Sequence, residues 1–591
     1  MDEMTIDQKL VYDKQLDKIF GFAETGEHGE VCEPQKAANR MLCFLLRGLS
    51  SSYAIPVGYF FTYCLKGAEL LRMMLDVLSE VGSLGFSVIH IVADNHQTNT
   101  AMFKALGNGE LLHKIPHPCN TIRPLFLSFD PNHIIKNLRS ILLERKMTDG
   151  YECIDGGYYM KILLDIQKNI LIKPVRFLTR AHVFPTNLEK MKVKRARDIF
   201  LPVVIGTLNF LKDNPFCHKD ASLFSGCGAT VMLMENINKW YELQDISNWN
   251  EHLFSILPNK RPFSEINEER LNWLQLDFLL YMESMKKECS NMKMQFLTKE
   301  TYNALYLTTL STVDVVKYLL NTVKFRYVLT RRFNSDPIES FFSCIRQFNG
   351  GNDKLDARSA SLTTQMILKV GILQAAQNGN APCSSSSSKL LPVMTETNCN
   401  VEDEVCKLHD SSLSILQKLQ SLTQDCSVLC TIENASLAVI SGYLIRVLEE
   451  KVACYECLEI LNHPASNGAL FGLISNQDRG QLRYPRPGLV GVIRILTDFF
   501  DDVLTYTNPC QAGLKVKLVK VILPYLKNCP VLWCKANTDG AQSNHNNRMC
   551  NIIATKFVSP FLTNWTGQLS QTVEKVLRLH HKPISRKILK V

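Results

Sequence analysis

No apolar run in this sequence approaches the roughly 20 residues that a membrane-spanning helix needs. The strongest stretch, "YAIPVGYFFTYCLKG", is too short and is broken by Pro and Gly, so no membrane helix is expected. No signal peptide opens the sequence, and the 20 cysteines are therefore expected as reduced thiols of a soluble intracellular protein. Internal repeats are missing, as is a Walker-type P-loop, so any bound phosphate would have to be met by scattered side chains. Charge of neither sign dominates. The 66 Lys and Arg against 57 Asp and Glu leave +9, which permits a polyanionic partner without requiring one.

What is present is a long chain with changes of character along it. At 591 residues several domains are expected. Residues 1–140 read as α/β: two short strands around a polar turn in "KLVYDKQLDKIFGF", a strand "IPVGYFFTY", an amphipathic helix "GAELLRMMLDVLSEVG", then a buried strand "SVIHIVAD". Residues 141–325 turn mostly helical, with clear periodic segments such as "ERLNWLQLDFLLYMESMKK". The α/β character is expected to resume over 326–375. The small polar residues around "NGNAPCSSSSSKL" predict a flexible linker over 376–411, and helical patterns return in a Cys-containing region over 412–591.

Three carboxylates stand out. Asp94 closes the strand "SVIHIVAD", at the carboxyl edge where α/β sheets bind ligands, although a turn or cap Asp is the ordinary alternative. Asp130 repeats the arrangement before a Pro-initiated helix that carries His133, Lys136 and Asn137 on one face. Glu339 lies in "SDPIESFFSCIRQFNGG", where Asp336 as N-cap and Pro337 at the first helical position would put Glu339 at N3, poised for a capping box. The same glutamate, with Asp94 and with Asp2 in "DEMTI", could instead hold the metal ions of two-metal phosphoryl transfer.

Six fragments in one order, "DEMTI…VYD…IFGF", "PVGYFF", "VADNHQTN", "LSFDPNHIIKNLR", "KMKVKRA" and "SDPIESFFSCIRQFNGGN", resemble the P-element-type DNA transposases and their THAP-domain-bearing cellular relatives. The resemblance continues more loosely in "ENASLAVISGYLIRVLEEKVACYEC". It implies a ribonuclease-H-like, retroviral-integrase-type α/β fold interrupted by a large helical insertion, followed by a mostly helical C-terminal region. It also implies Asp2, Asp94 and Glu339 as the catalytic acids, holding Mg²⁺ or Mn²⁺ for DNA strand cleavage and transfer. GTP is implied as the cofactor of the insertion. Lys190, Lys192 and Lys194 are the candidate phosphate contacts, with Tyr241, Glu242 and Asp245 of "KWYELQD", together with Asp336, as further candidates; a solvated helix face is the alternative.

The implied partners are transposon-end and target DNA and further copies of the chain, in the nucleus. No Cys-Cys-Cys-His pattern precedes residue 90, so the THAP zinc finger of the family is expected to be lacking. Asp2 so near the start implies a shortened first strand. A domesticated, catalytically silent DNA- or protein-binding derivative is the competing expectation. Separately, Cys454 and Cys457 of "CYEC" have zinc-ligand spacing that His545 and Cys550 could complete, against buried free thiols as the ordinary alternative.

Overall fold

The computed structural model describes residues 1–24, 36–255, 257–352, 354–370, 410–452, 454–463, 468–506, 513–534 and 542–580. The linker expected over 376–411 lies outside the described residues but for its last two. The chain divides into two compact units. One comprises Met1–Tyr158, Arg180–Leu201 and Met232–Leu391, the other Tyr159–Thr179, Pro202–Val231 and Pro392–Val591.

The first unit is built on two three-stranded sheets. In one, strand Arg40–Arg47 pairs antiparallel with both Asp2–Thr5 and Ala54–Thr62. In the other, Asn120–Phe129 pairs parallel with His90–Ala93 and antiparallel with Lys114–His117. The Met1 nitrogen donates to the Val92 carbonyl at 2.9 Å, which brings the start of strand Asp2–Thr5 against strand His90–Ala93 of the other sheet. That junction sets Asp2, at the start of one strand, near Asp94, just past the end of the next. Periodicity assigns no strand to Arg40–Arg47, because "RMLCFLLR" is largely buried on both faces and shows no alternation.

Helix Asp336–Phe348 buries Ile338, Phe341, Phe342 and Ile345 against Met4, Met41, Cys43 and Phe61 of the first sheet. Each such side chain contributes about 1.5–3 kcal/mol when fully buried, which fixes the rotation of the helix and turns Glu339 to its border. Helix Lys299–Asn321 is tied to the second sheet, with Thr308 Oγ1 accepting from Phe129 N at 2.9 Å and donating to Phe129 O at 3.1 Å. The block 141–325, expected as one separate helical domain, is therefore divided between the two units. Periodicity reveals that a helix has an apolar face, but not which surface that face covers.

The second unit is helical in its described parts beyond residue 410. Helices Ile432–Lys451, Pro487–Tyr506, Leu514–Lys527 and Gln542–His580 enclose a core that includes Leu444, Leu448, Phe499, Phe500, Ile553 and Phe557. No described helix is long and apolar enough to cross a membrane.

Candidate metal-binding acidic site

The start of the Glu339 helix differs from the expected capping box. Ser335 occupies the N-cap, Asp336 is the first helical residue, and Pro337 follows it. Glu339 is thereby one position beyond N3. Its backbone N–H donates to Ser335 O at 3.2 Å, and its side chain leaves the helix end, Oε1 lying 3.5 Å from His133 Nε2. The shift arises because the Asp336 carboxylate is taken by tertiary partners: Asn132 Nδ2 at 2.7 Å, Asn334 Nδ2 at 2.8 Å and Arg331 at 3.1 Å.

Asp130 joins the two helices that meet here. Fully buried, it caps its own helix by accepting from His133 N at 3.3 Å, and its other oxygen accepts from Ser335 N at 3.2 Å. A buried carboxylate needs such donors, and in finding them it sets His133 opposite Glu339. Ligand atoms of Asp130, His133 and Glu339 all fall within 4.8 Å of one another.

Asp2 and Asp94 line one cavity of about 280 Å³, with His96, Thr98 and Asn99 on its wall. One oxygen of Asp94 accepts from His96 N at 3.3 Å and from Asn99 Nδ2. Burial, and next the Asp94 charge, push the Asp2 carboxyl up to about 6, while the His133 charge opposes the rise. His133 is the electrostatic meeting point. Burial lowers its pKa, but the Glu339 carboxylate and the charges of Asp130 and Asp94 outweigh that and hold the imidazole above its ordinary value. Glu339 is held low: burial raises it, whereas His133 and Lys136 lower it further. Asp2, Asp94 and Glu339 thus act on one imidazole. Sequence reasoning placed His133 on a face of its helix without a role; only the buried Asp130 cap turns it toward the acids.

The candidate nucleotide contacts are arranged otherwise. Lys190 pairs with Glu144 at 2.6 Å, and Lys192 and Lys194 are exposed. Glu242 is buried and accepts from Asn238 Nδ2 at 3.0 Å and Asn259 Nδ2 at 2.7 Å. Asp245 pairs with the fully buried Lys260 at 2.8 Å, with Arg331 at 3.5 Å and with Arg197 at 3.7 Å. Arg331 also holds Asp336, so Asp245 and Asp336 share one guanidinium. Tyr241 donates to Asn132 Oδ1 at 2.7 Å, extending the same network to the residue beside His133. Tyr241 and Asp245, through Asn132 and Arg331, buttress the Glu339 helix at Asp336.

In the second unit Cys454, Cys457 and His545 come together as expected, but the fourth member is Cys534. Cys550 lies in the apolar core, where burial, with the Cys529 thiol adding to it, pushes its thiol up to about 12. Cys550 follows His545 by just over one helical turn, so its placement is set by which face of helix Gln542–His580 packs inward.

Asp2 and Asp94 thus share one cavity at strand ends, and Glu339 meets His133 from a later helix, all within the first, mixed α/β unit. The family model "TNP-like, RNase H N-terminal domain" matches residues 1–107, and "DNA transposase THAP9, C-terminal domain" matches residues 418–564. The human DNA transposase THAP9 is 20% identical over 521 residues, 83% of this chain and 54% of the relative. The Drosophila melanogaster transposable element P transposase is 22% identical over 358 residues, 60% of this chain and 42% of the relative. The chain of the Drosophila P element transposase strand transfer complex has the same fold over 63% of this chain and 76% of its own, with a TM-score of 0.51 and 19% identity. This chain is a homologue of the P-element-type transposases, with a ribonuclease-H-like N-terminal region. It spans about half the length of these curated relatives.

Proposed function

We infer that this is a transposase-type protein in which Asp2, Asp94 and Glu339 hold divalent metal for phosphoryl transfer on DNA. The observation that supports this best is the placement of His133, whose Nε2 lies 3.5 Å from Glu339, beside Asp2 and Asp94, which share one cavity. The donor set fits the group: oxygen ligands in like-charged proximity are what Mg²⁺ or Mn²⁺ neutralises. When bound, such ions stabilise the attacking and leaving oxygens of an in-line displacement.

The chain's own residues do the positioning. Asp130 holds the His133 and Glu339 helices in register, and the Asp336–Arg331–Asp245 network fixes the Glu339 helix from behind. His133 lies 3.5 Å from Glu339 and, when protonated, limits the repulsion among the acids. DNA is proposed as substrate on the strength of what the relatives are, with self-association and a nuclear location as corollaries. Of the residues expected to meet GTP, Lys192 and Lys194 are exposed, whereas the three acids are engaged. Glu242, Asp245 and Asp336 are committed to internal partners, so guanine recognition there would have to displace Asn259, Lys260 or Arg331.

A second reading, a catalytically silent DNA-binding derivative, is favoured by the His133–Glu339 pair itself, because that carboxylate is already engaged by an imidazole. Mn²⁺ calorimetry and nicking of supercoiled plasmid in Mg²⁺ or Mn²⁺ separate the two. Metal binding and nicking, both lost in Glu339→Gln, support the enzyme. Plasmid binding without nicking supports the silent derivative, and neither metal binding nor DNA binding overturns the inference.

A further inference from the structure

The sulfur cluster of the second unit has no part in the acidic site, and its composition is that of a closed zinc centre. Cys454, Cys457, Cys534 and His545 each place one ligand atom within 4.8 Å of all the others. Cys454 Sγ and Cys534 Sγ are 3.6 Å apart. For four ligands around zinc, Zn–S bonds of about 2.3 Å put neighbouring sulfurs about 3.8 Å apart, so little movement is needed. His545 adds an independent sign. Its Nε2 is buried with no hydrogen-bond partner, which is costly for an imidazole unless a metal or proton satisfies it.

The elements that carry these ligands explain why they meet. Cys454 immediately precedes the short helix Tyr455–Glu459, and Cys457 lies within it. Cys534 follows the turn Pro530–Leu532, and His545 sits in the first turn of helix Gln542–His580. Cys457 and Cys534 belong to the apolar core of the unit, so water is largely excluded from the sulfur side. Four protein ligands with no open position make a structural centre; a catalytic one would keep a place for water.

We propose that Cys454, Cys457, Cys534 and His545 bind one Zn²⁺ that fastens these three elements of the second unit. Binding is a proton exchange without redox change: Zn²⁺ displaces the three thiol protons to solvent, and neutral imidazole donates its nitrogen lone pair. Cys550, five residues beyond His545, takes no part.

The test uses the full chain produced with zinc in the medium. Elemental analysis should find one zinc per chain in the wild type, in Glu339→Gln and in Cys550→Ser, and at least a ten-fold reduction in Cys534→Ser. Replacement by Co²⁺ should give the intense near-ultraviolet bands of thiolate-to-cobalt charge transfer together with tetrahedral visible bands, absent in Cys534→Ser. Should that variant misfold, alkylation of the wild type decides: chelation should expose Cys454, Cys457 and Cys534 to the reagent while Cys550 stays protected. A wild type without zinc or cobalt bands, full metal in Cys534→Ser, loss of metal in Cys550→Ser, or a Cys454–Cys534 disulfide in the purified protein would overturn the proposal.

Discussion

The two clusters of candidate ligands differ in chemistry and in surroundings. In the first unit, Asp2 and Asp94 line one cavity, Glu339 pairs with His133, and a set of ion pairs backs the Glu339 helix. In the second, sulfur and imidazole donors lie within 4.8 Å of one another at the edge of an apolar core. A site that must receive a phosphodiester keeps exposure and unfavourable charge, whereas a site that fastens helices is sealed. On the roles proposed for them, the first would draw stability from its surroundings and the second, once loaded with metal, would contribute it.

The largest effect that tests this contrast is on activity. Glu339→Gln should lower metal-dependent nicking by roughly a thousand-fold, the scale of several kcal/mol of transition-state stabilisation. Its metal-free melting temperature should not fall, since the capping role once expected for Glu339 is absent. A clear loss of stability with unchanged nicking would make the acid a structural residue and erase the contrast. Next in size is Lys260→Met, which leaves Asp245 without its fully buried ammonium partner. Loss of one member of a buried pair costs about 3–5 kcal/mol. Denaturant titration should show that loss in the first unit, while the zinc content of the chain stays unchanged.

Acid should separate the units more gently. Burial drives the His90 imidazole down to about 3, with Ser128 Oγ at 2.7 Å and the Phe333 ring against it. An unfolded histidine titrates near 6.5. Stability that is fully present above that value is therefore lost as pH falls from about 6.5 toward 3, because the unfolded chain takes up a proton that the folded one refuses. The slope reaches about 1.4 kcal/mol per pH unit. His90→Gln should flatten that part of the profile in urea titrations between pH 6.5 and 5, and an unaltered slope would mean that His90 is not neutral by burial. The smallest expected effect is on nucleotide binding. With Glu242 and Asp245 internally paired, calorimetry should show no preference for GTP over ATP, and a selective GTP signal would move guanine recognition to other residues.

Much of the first unit was readable from pattern. The stripe Ile338, Phe341, Phe342 and Ile345 predicted the buried face that orients Glu339, and Asp94 ends its strand as expected. Asp130 as cap of a Pro-initiated helix was equally plain. The strand Arg40–Arg47 was not, because an apolar run without alternation fits a strand or a helix. Cys534 escaped for a different reason. It has no near neighbour with ligand spacing, and only the fold of the chain between residues 457 and 534 carries it to its partners.

By itself, then, the sequence determined where helices and strands would bury their apolar faces, which acids end strands, and the kinship with P-element-type transposases, since these are properties of local spacing and residue identity. Tertiary structure alone decided the partners. It gave Asp336 to Arg331 and Asn132, leaving Ser335 as the cap and Glu339 to His133. It divided the helical block between two units and chose Cys534 over Cys550. The physical reason is common to all of these: a buried charge or thiol takes the lowest-energy partner within a few ångströms, and distance along the chain says little about which group that will be.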